Sequence, residues 1–134
     1  MLTSIDENIN EIHSDDALNS IEKLSRIFSV VYKLLEQNCR LIAVVLDYLL
    51  HISKTGVNPE ERVRRRTVKL RRILSAIVIE GIKNGDLKKT NVKTANDYVY
   101  SFIDAAIFQL AILKRSNLDE LKEAAIFALR QMAV

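Results

Sequence analysis

Asp47 and His51 are the two residues of this sequence best spaced for joint chemistry. Four apart, they share one face of any helix that contains them, and a carboxylate beside an imidazole strengthens its hold on a proton. Such a pair either lines an internal ligand cavity or closes an ordinary solvent-facing ion pair, and the letters leave both open. Tyr32 and Cys39 join them as polar candidates for a ligand pocket. A tyrosine tip can orient a ligand, although in a core it can equally serve a backbone acceptor. Little else suggests catalysis. Two histidines, one cysteine and no Glu-x-x-His pair leave nothing with the spacing of a zinc, di-iron or nucleophile site. Gly56, Gly81 and Gly85 are isolated and make neither a phosphate loop nor a dinucleotide fingerprint. The expectation is a protein that is not an enzyme and needs no metal or cofactor.

The cations form one local cluster. Net charge is −3 over residues 1–59, +5 over 60–72 and +1 over 73–134. Arg62, Arg64, Arg65, Arg66, Lys69, Arg71 and Arg72 invite a nucleic-acid reading, because clustered cations neutralise phosphates and release counterions. Arg62, Arg65, Lys69 and Arg72, however, fall opposite the apolar seam of their own helix. With no helix-turn-helix, aromatic stacking platform or zinc motif nearby, a solvated face explains them without a partner.

The elements that must position these residues read as helices. At 134 residues the chain fits one domain, large enough to bury a core without disulfides. Three glycines and one proline are too few for the many tight turns of a sandwich or barrel. The fold class expected is therefore all-α, an antiparallel bundle of about six helices spanning 1–134. Cys39 is the lone cysteine and Met1 opens no secretory leader, which points to the cytoplasm. The longest apolar run, Leu41 to Ile52, falls short of the ~20 residues a membrane span needs and is broken by Asp47 and His51.

Leu2, Ile5, Ile9 and Ile12 mark a first helix, ended by His13-Ser14-Asp15-Asp16. A second, about 16–37, is expected to be capped by Ser14 or Asp15 and to bury Leu18, Ile21, Leu24, Phe28, Val31, Tyr32 and Leu35. A third, about 40–54, is apolar nearly all round, which predicts a place in the middle of the bundle. Asn58-Pro59-Glu60-Glu61 starts a fourth at Pro59, with Val63, Thr67, Leu70, Leu74, Ile77 and Gly81 as its seam and Asn84-Gly85 as its stop. Thr94-x-x-Asp97 and Asn117-x-x-Glu120 resemble capping boxes for a fifth helix, about 95–114, and a sixth, about 118–133.

The fifth helix has two apolar faces. Val99, Ile103, Ala106, Leu110 and Leu113 form one, while Ala105, Phe108 and Ile112 lie nearly opposite. The sixth adds Ala124, Phe127 and Ala128 beside its Leu118–Leu121–Ala125–Met132 seam. One bundle buries only one such face, unless the helix is central to its own monomer. The second face of each helix therefore predicts another subunit, in a homodimer.

The segment Arg72-Ile-Leu-Ser-Ala-Ile-Val-Ile-Glu-Gly-Ile-Lys-Asn-Gly-Asp-Leu87 resembles the TetR repressor family. There a Glu-Gly-x-x-x-Gly-Asp/Glu-Leu-like helix end precedes two C-terminal dimerisation helices. Phe102-Ile-Asp-Ala-Ala-Ile107 is similar to the next helix of that family, with Ala105 in place of a frequent glycine. The likeness covers about 60–133 well, and 1–58 only through helix order. It implies the C-terminal domain of a transcriptional regulator, which dimerises through its last two helices and binds a small, often apolar effector that modulates DNA affinity. Residues 1–13 would then end the helix that connects to an N-terminal helix-turn-helix, absent from this sequence, and operator DNA would be touched only through that missing part. The rival expectation is a free-standing helical interaction module.

Overall fold

The computed structural model describes the backbone of residues 2–52, 56 and 59–134, and the side chains of 7–48, 50–51, 56 and 68–134. Its described residues form six helices: α1 (Leu2–Ser14), α2 (Ser20–Gln37), α3 (Cys39–Ile52), α4 (Pro59–Asn84), α5 (Val92–Ala111) and α6 (Asp119–Arg130). The all-α bundle is as the periodicity requires. Among the described residues no helix is long and apolar enough to cross a membrane. Asn58 lies outside what is described, as do the side chains of Leu2, Ile5, Arg62, Val63, Arg64, Arg65, Arg66 and Thr67.

Two helices hold the bundle together, and neither is the one that composition favours. α2 packs against all five others and α5 against α2, α3, α4 and α6. Leu24, Ile27 and Phe28 of α2 meet Val99, Ile103 and Ala106 of α5 in a core that also takes in Leu74, Ile77, Leu118 and Leu129. α3, expected at the centre, lies at the periphery. Leu41, Val44, Val45, Tyr48 and Leu50 are 46–66% exposed, and no described side chain of α3 is fully buried. An apolar helix must be covered by something, but its own letters do not say by what. Among its described side chains only Cys39 and Ile42 reach the core.

Three helix starts differ from expectation, each for a local reason. Asp15 spends its carboxylate on Ala17 N in the preceding turn, so α2 starts four residues later in a full capping box. Asn19 Oδ1 accepts from Glu22 N at 2.9 Å, and Glu22 Oε1 accepts from Asn19 N. α5 starts at Val92 rather than near Thr94, because Asn91 Oδ1 accepts from the amides of both Lys93 and Thr94. It also ends at Ala111, and Leu113 consequently leaves the core face and is half exposed. At α6 the cap comes from another helix: Leu118 N donates to Glu36 Oε1 of α2 at 2.7 Å, while Asn117 accepts only from Asp119 N.

α4 ends as expected, with Gly85 at φ +86°, a conformation glycine adopts without strain. Gly81 answers to space instead. A Cβ there would lie 2.6 Å from Ser20 Oγ and 2.7 Å from Leu87 Cδ1. This close approach lets Ser20 N and Oγ donate to Asp86 Oδ2, which ties the start of α2 to the end of α4. Beyond α6, Ala133 pairs with Leu87 in a single antiparallel bridge, backed by Lys88 N to Met132 O at 2.8 Å.

Candidate functional site

The four pocket candidates lie in different surroundings. Tyr32 is 1% exposed, its ring stacked on Phe28 at 5.8 Å between centroids, and its hydroxyl donates to the Phe102 carbonyl at 2.6 Å. That tip is a core fastener, and burial pushes the phenol well above its ordinary range. Cys39 opens α3, partly buried against the core. Asp47 and His51 are both exposed on α3. No ion pair joins them. His13 Nε2 does approach Glu80 Oε1, at 3.5 Å, a contact that is ionic only when the imidazole is protonated. The helix turn places Asp47 and His51 on one side of α3, as their spacing requires, but both are exposed there whereas Tyr32 is buried.

A different group of side chains converges between α4 and α5. An open groove of about 600 Å³ runs between these two helices, with Val68, Ile79 and Val92 on its rims and Leu74 and Tyr100 at its floor. None of the four candidates lines it. On α4, Val68, Arg71, Ser75 and Ile79 repeat at three- and four-residue spacing and form a stripe beside the buried Leu74–Ile77–Val78 side. Val92, Asn96 and Tyr100, four apart on α5, form the opposite wall.

Arg71 is the central charge of this groove. Its guanidinium carbon lies 3.6 Å from the centroid of the Tyr100 ring, a cation–π stack that fixes the plane of the head group. Its Nε is buried without a hydrogen-bond partner. Asp104, one turn beyond Tyr100, is close enough for the Arg71 charge to favour its ionised form, yet desolvation outweighs that pull and the carboxyl is raised above its usual value. Asn96 Nδ2 donates to Ser75 Oγ at 3.0 Å, and its Oδ1, like Arg71 Nε, is buried and unbonded. Sequence reasoning passed over this site because Arg71 reads as one of seven clustered cations. Its partner ring comes from 29 positions along the chain, on another helix. The available signal was the Val68–Arg71–Ser75–Ile79 stripe, a second face on a helix whose seam is already accounted for.

The proposed dimer residues sit on the outside of the bundle. Phe108 is 52%, Ile112 47% and Phe127 65% exposed, Ala124 is exposed, and Ala105 and Ala128 are half-buried. α5 is central to its monomer, and it still presents this face outward. Tyr98, itself exposed, bridges the two helices, its hydroxyl donating to Ala128 O at 3.0 Å and its ring edge-on to Phe102. Among the described residues no group of three His, Cys, Asp or Glu side chains could hold a metal ion. No family model, curated protein or solved structure matches this chain.

Proposed function

We propose that the chain is the ligand-sensing and dimerisation domain of a TetR-like transcriptional regulator, with a second copy covering the outer face of α5 and α6. The observation that carries this reading is the joint exposure of Phe108, Ile112 and Phe127 on neighbouring helices, with the small Ala105, Ala124 and Ala128 on the same two helices. Small residues let helices approach closely, and burying one phenylalanine ring is worth about 1.5–3 kcal/mol. A two-fold contact uses each of these residues twice. Four helices would meet across the axis. The resemblance of 72–87 to the TetR family supplies the regulatory half of the reading: a small effector shifts the population of two bundle states, and α1 passes the change to a DNA-reading domain.

Sedimentation of the wild-type chain at micromolar concentration tests the dimer. Phe108→Asp places two carboxylates in one desolvated interface and converts the dimer to monomer. A folded wild-type monomer, unaffected by Phe108→Asp, refutes the reading. The chain is also expected to bind no operator sequence selectively, because its cationic cluster lies on a helix face with no base-reading partners. The rival, a free-standing helical interaction module, is favoured by one observation, the outward apolar face of α3 at Leu41, Val44 and Tyr48. A monomeric wild type moves the weight to it.

A further inference from the structure

We infer that the α4–α5 groove binds a small organic carboxylate with an apolar body, held by Arg71. The inference deepens the ligand-sensing half of the proposed function, and it needs neither the dimer nor DNA.

Arg71 carries a positive charge that the described residues orient but do not neutralise. Stacking on Tyr100 holds the guanidinium plane, yet no described carboxylate approaches within ion-pair distance, and no described residue accepts a hydrogen bond from it. Fixing an arginine head is costly in side-chain entropy unless its donors are used, and buried polar atoms are nearly always paired. Two such atoms, Arg71 Nε and Asn96 Oδ1, are unpaired on facing walls of one groove. A structural role for Arg71 explains the stack but not the buried, unpaired Nε.

The charge around the groove selects the sign of the ligand. Arg71, Arg72 and Lys93 line it against the single carboxylate of Asp97. Asp104 lies close enough to interact with Arg71 but outside ion-pair distance of it. The planar fork of arginine matches the two oxygens of a carboxylate. The walls select the rest. Val68, Leu74, Ile79 and Val92 offer apolar surface along the groove, and a volume of about 600 Å³ is in the range of small-molecule sites. A bare inorganic anion would leave that surface wet, and a neutral apolar molecule would leave Arg71 unanswered.

Hexanoate is a suitable probe, with hexan-1-ol carrying the same chain without charge and acetate carrying the charge without the chain. Calorimetric titration of the full chain is expected to show saturable hexanoate binding, at least about tenfold tighter than either control, since a charge-assisted hydrogen bond and the apolar contact are each worth about a factor of ten or more. Arg71→Met, which keeps the apolar stem, is expected to weaken hexanoate by about tenfold or more and to leave hexanol unchanged. Amide chemical-shift mapping on the wild type keeps the test open should that variant fold poorly. Shifts concentrated at Ser75, Val92, Asn96 and Tyr100 support the site. Hexanol binding as well as hexanoate, shifts centred elsewhere, or no saturable binding overturns it. A monomeric chain that binds hexanoate here sinks the regulator reading alone, and a dimer that ignores hexanoate sinks this inference alone.

Discussion

The hydroxyl of Tyr32 donates to the main-chain carbonyl of Phe102 over 2.6 Å, joining α2 to α5, the two helices that organise the bundle. Burial raises the phenol's folded pKa above its unfolded value, so the fold favours the neutral form. The associated stability is intact below the unfolded value of about 10 and is lost as pH climbs past it. Tyr32→Phe is expected to cost about 0.5–1.5 kcal/mol at neutral pH, the net worth of one hydrogen bond. It should also lose less stability than wild type in alkali. Urea unfolding at both pH values reads the two effects, and parallel alkaline losses would contradict the second.

The cap positions separate two residues that look alike in sequence. Asn91 accepts from two amides at the start of α5, whereas Thr94 stands one turn inside the helix. Asn91→Ala should cost about 1 kcal/mol. Thr94→Ala should change stability by less than about 0.5 kcal/mol, because alanine is a better helix former and no cap is lost. Thermal unfolding showing the reverse order would return the helix start to Thr94.

Gly81 and Gly85 resist substitution for different reasons. At Gly81 an added methyl meets Ser20 Oγ and the buried Leu87, and overpacking of that kind costs about 1–3 kcal/mol. At Gly85 nothing lies within 4 Å, and the cost of alanine is the left-handed backbone alone, about 1–2 kcal/mol. Trimming the contact partner distinguishes them: Ser20→Gly should partly rescue Gly81→Ala and leave Gly85→Ala untouched. Denaturant midpoints of the double variants settle it, and equal effects in both backgrounds would refute the contact.

The outer face of α3 gives a control for the dimer face. Val44 is 66% exposed, and Val44→Lys is expected to move stability by no more than about 0.5 kcal/mol while leaving the sedimentation coefficient alone. A loss of several times that, or dissociation, would show that α3 is covered in the assembled protein and would shift the interface away from Phe108 and Phe127.

What could be read from the letters follows the range of the physics involved. The Leu74–Ile77–Gly81 seam and the Asn84-Gly85 stop depend on neighbours three or four residues away, and both are found where the spacing puts them. Helix starts were harder, because Asp15 and Asn19 are both competent caps and only Asn19 has a glutamate three positions on. The place of α3 was not legible, since apolar composition registers a need for cover and not its source. Nor was the groove. The Arg71–Tyr100 stack and the Glu36 cap on α6 join residues far apart in sequence, and no local pattern announces either.

The bridge between Leu87 and Ala133 has a kinetic meaning. It closes a loop that contains all of α5 and α6, so it is expected to form late, once docking of both helices has brought its ends together. Contacts absent from the transition state leave the folding rate alone and govern how fast the native state opens. Lys88→Pro, which removes the N–H donated to Met132, should therefore steepen the rate of unfolding while refolding proceeds as before, and a slowed refolding limb in stopped-flow would place the bridge early instead. On this account two strips of main chain, a few residues each, set the lifetime of the folded molecule more than its route of assembly.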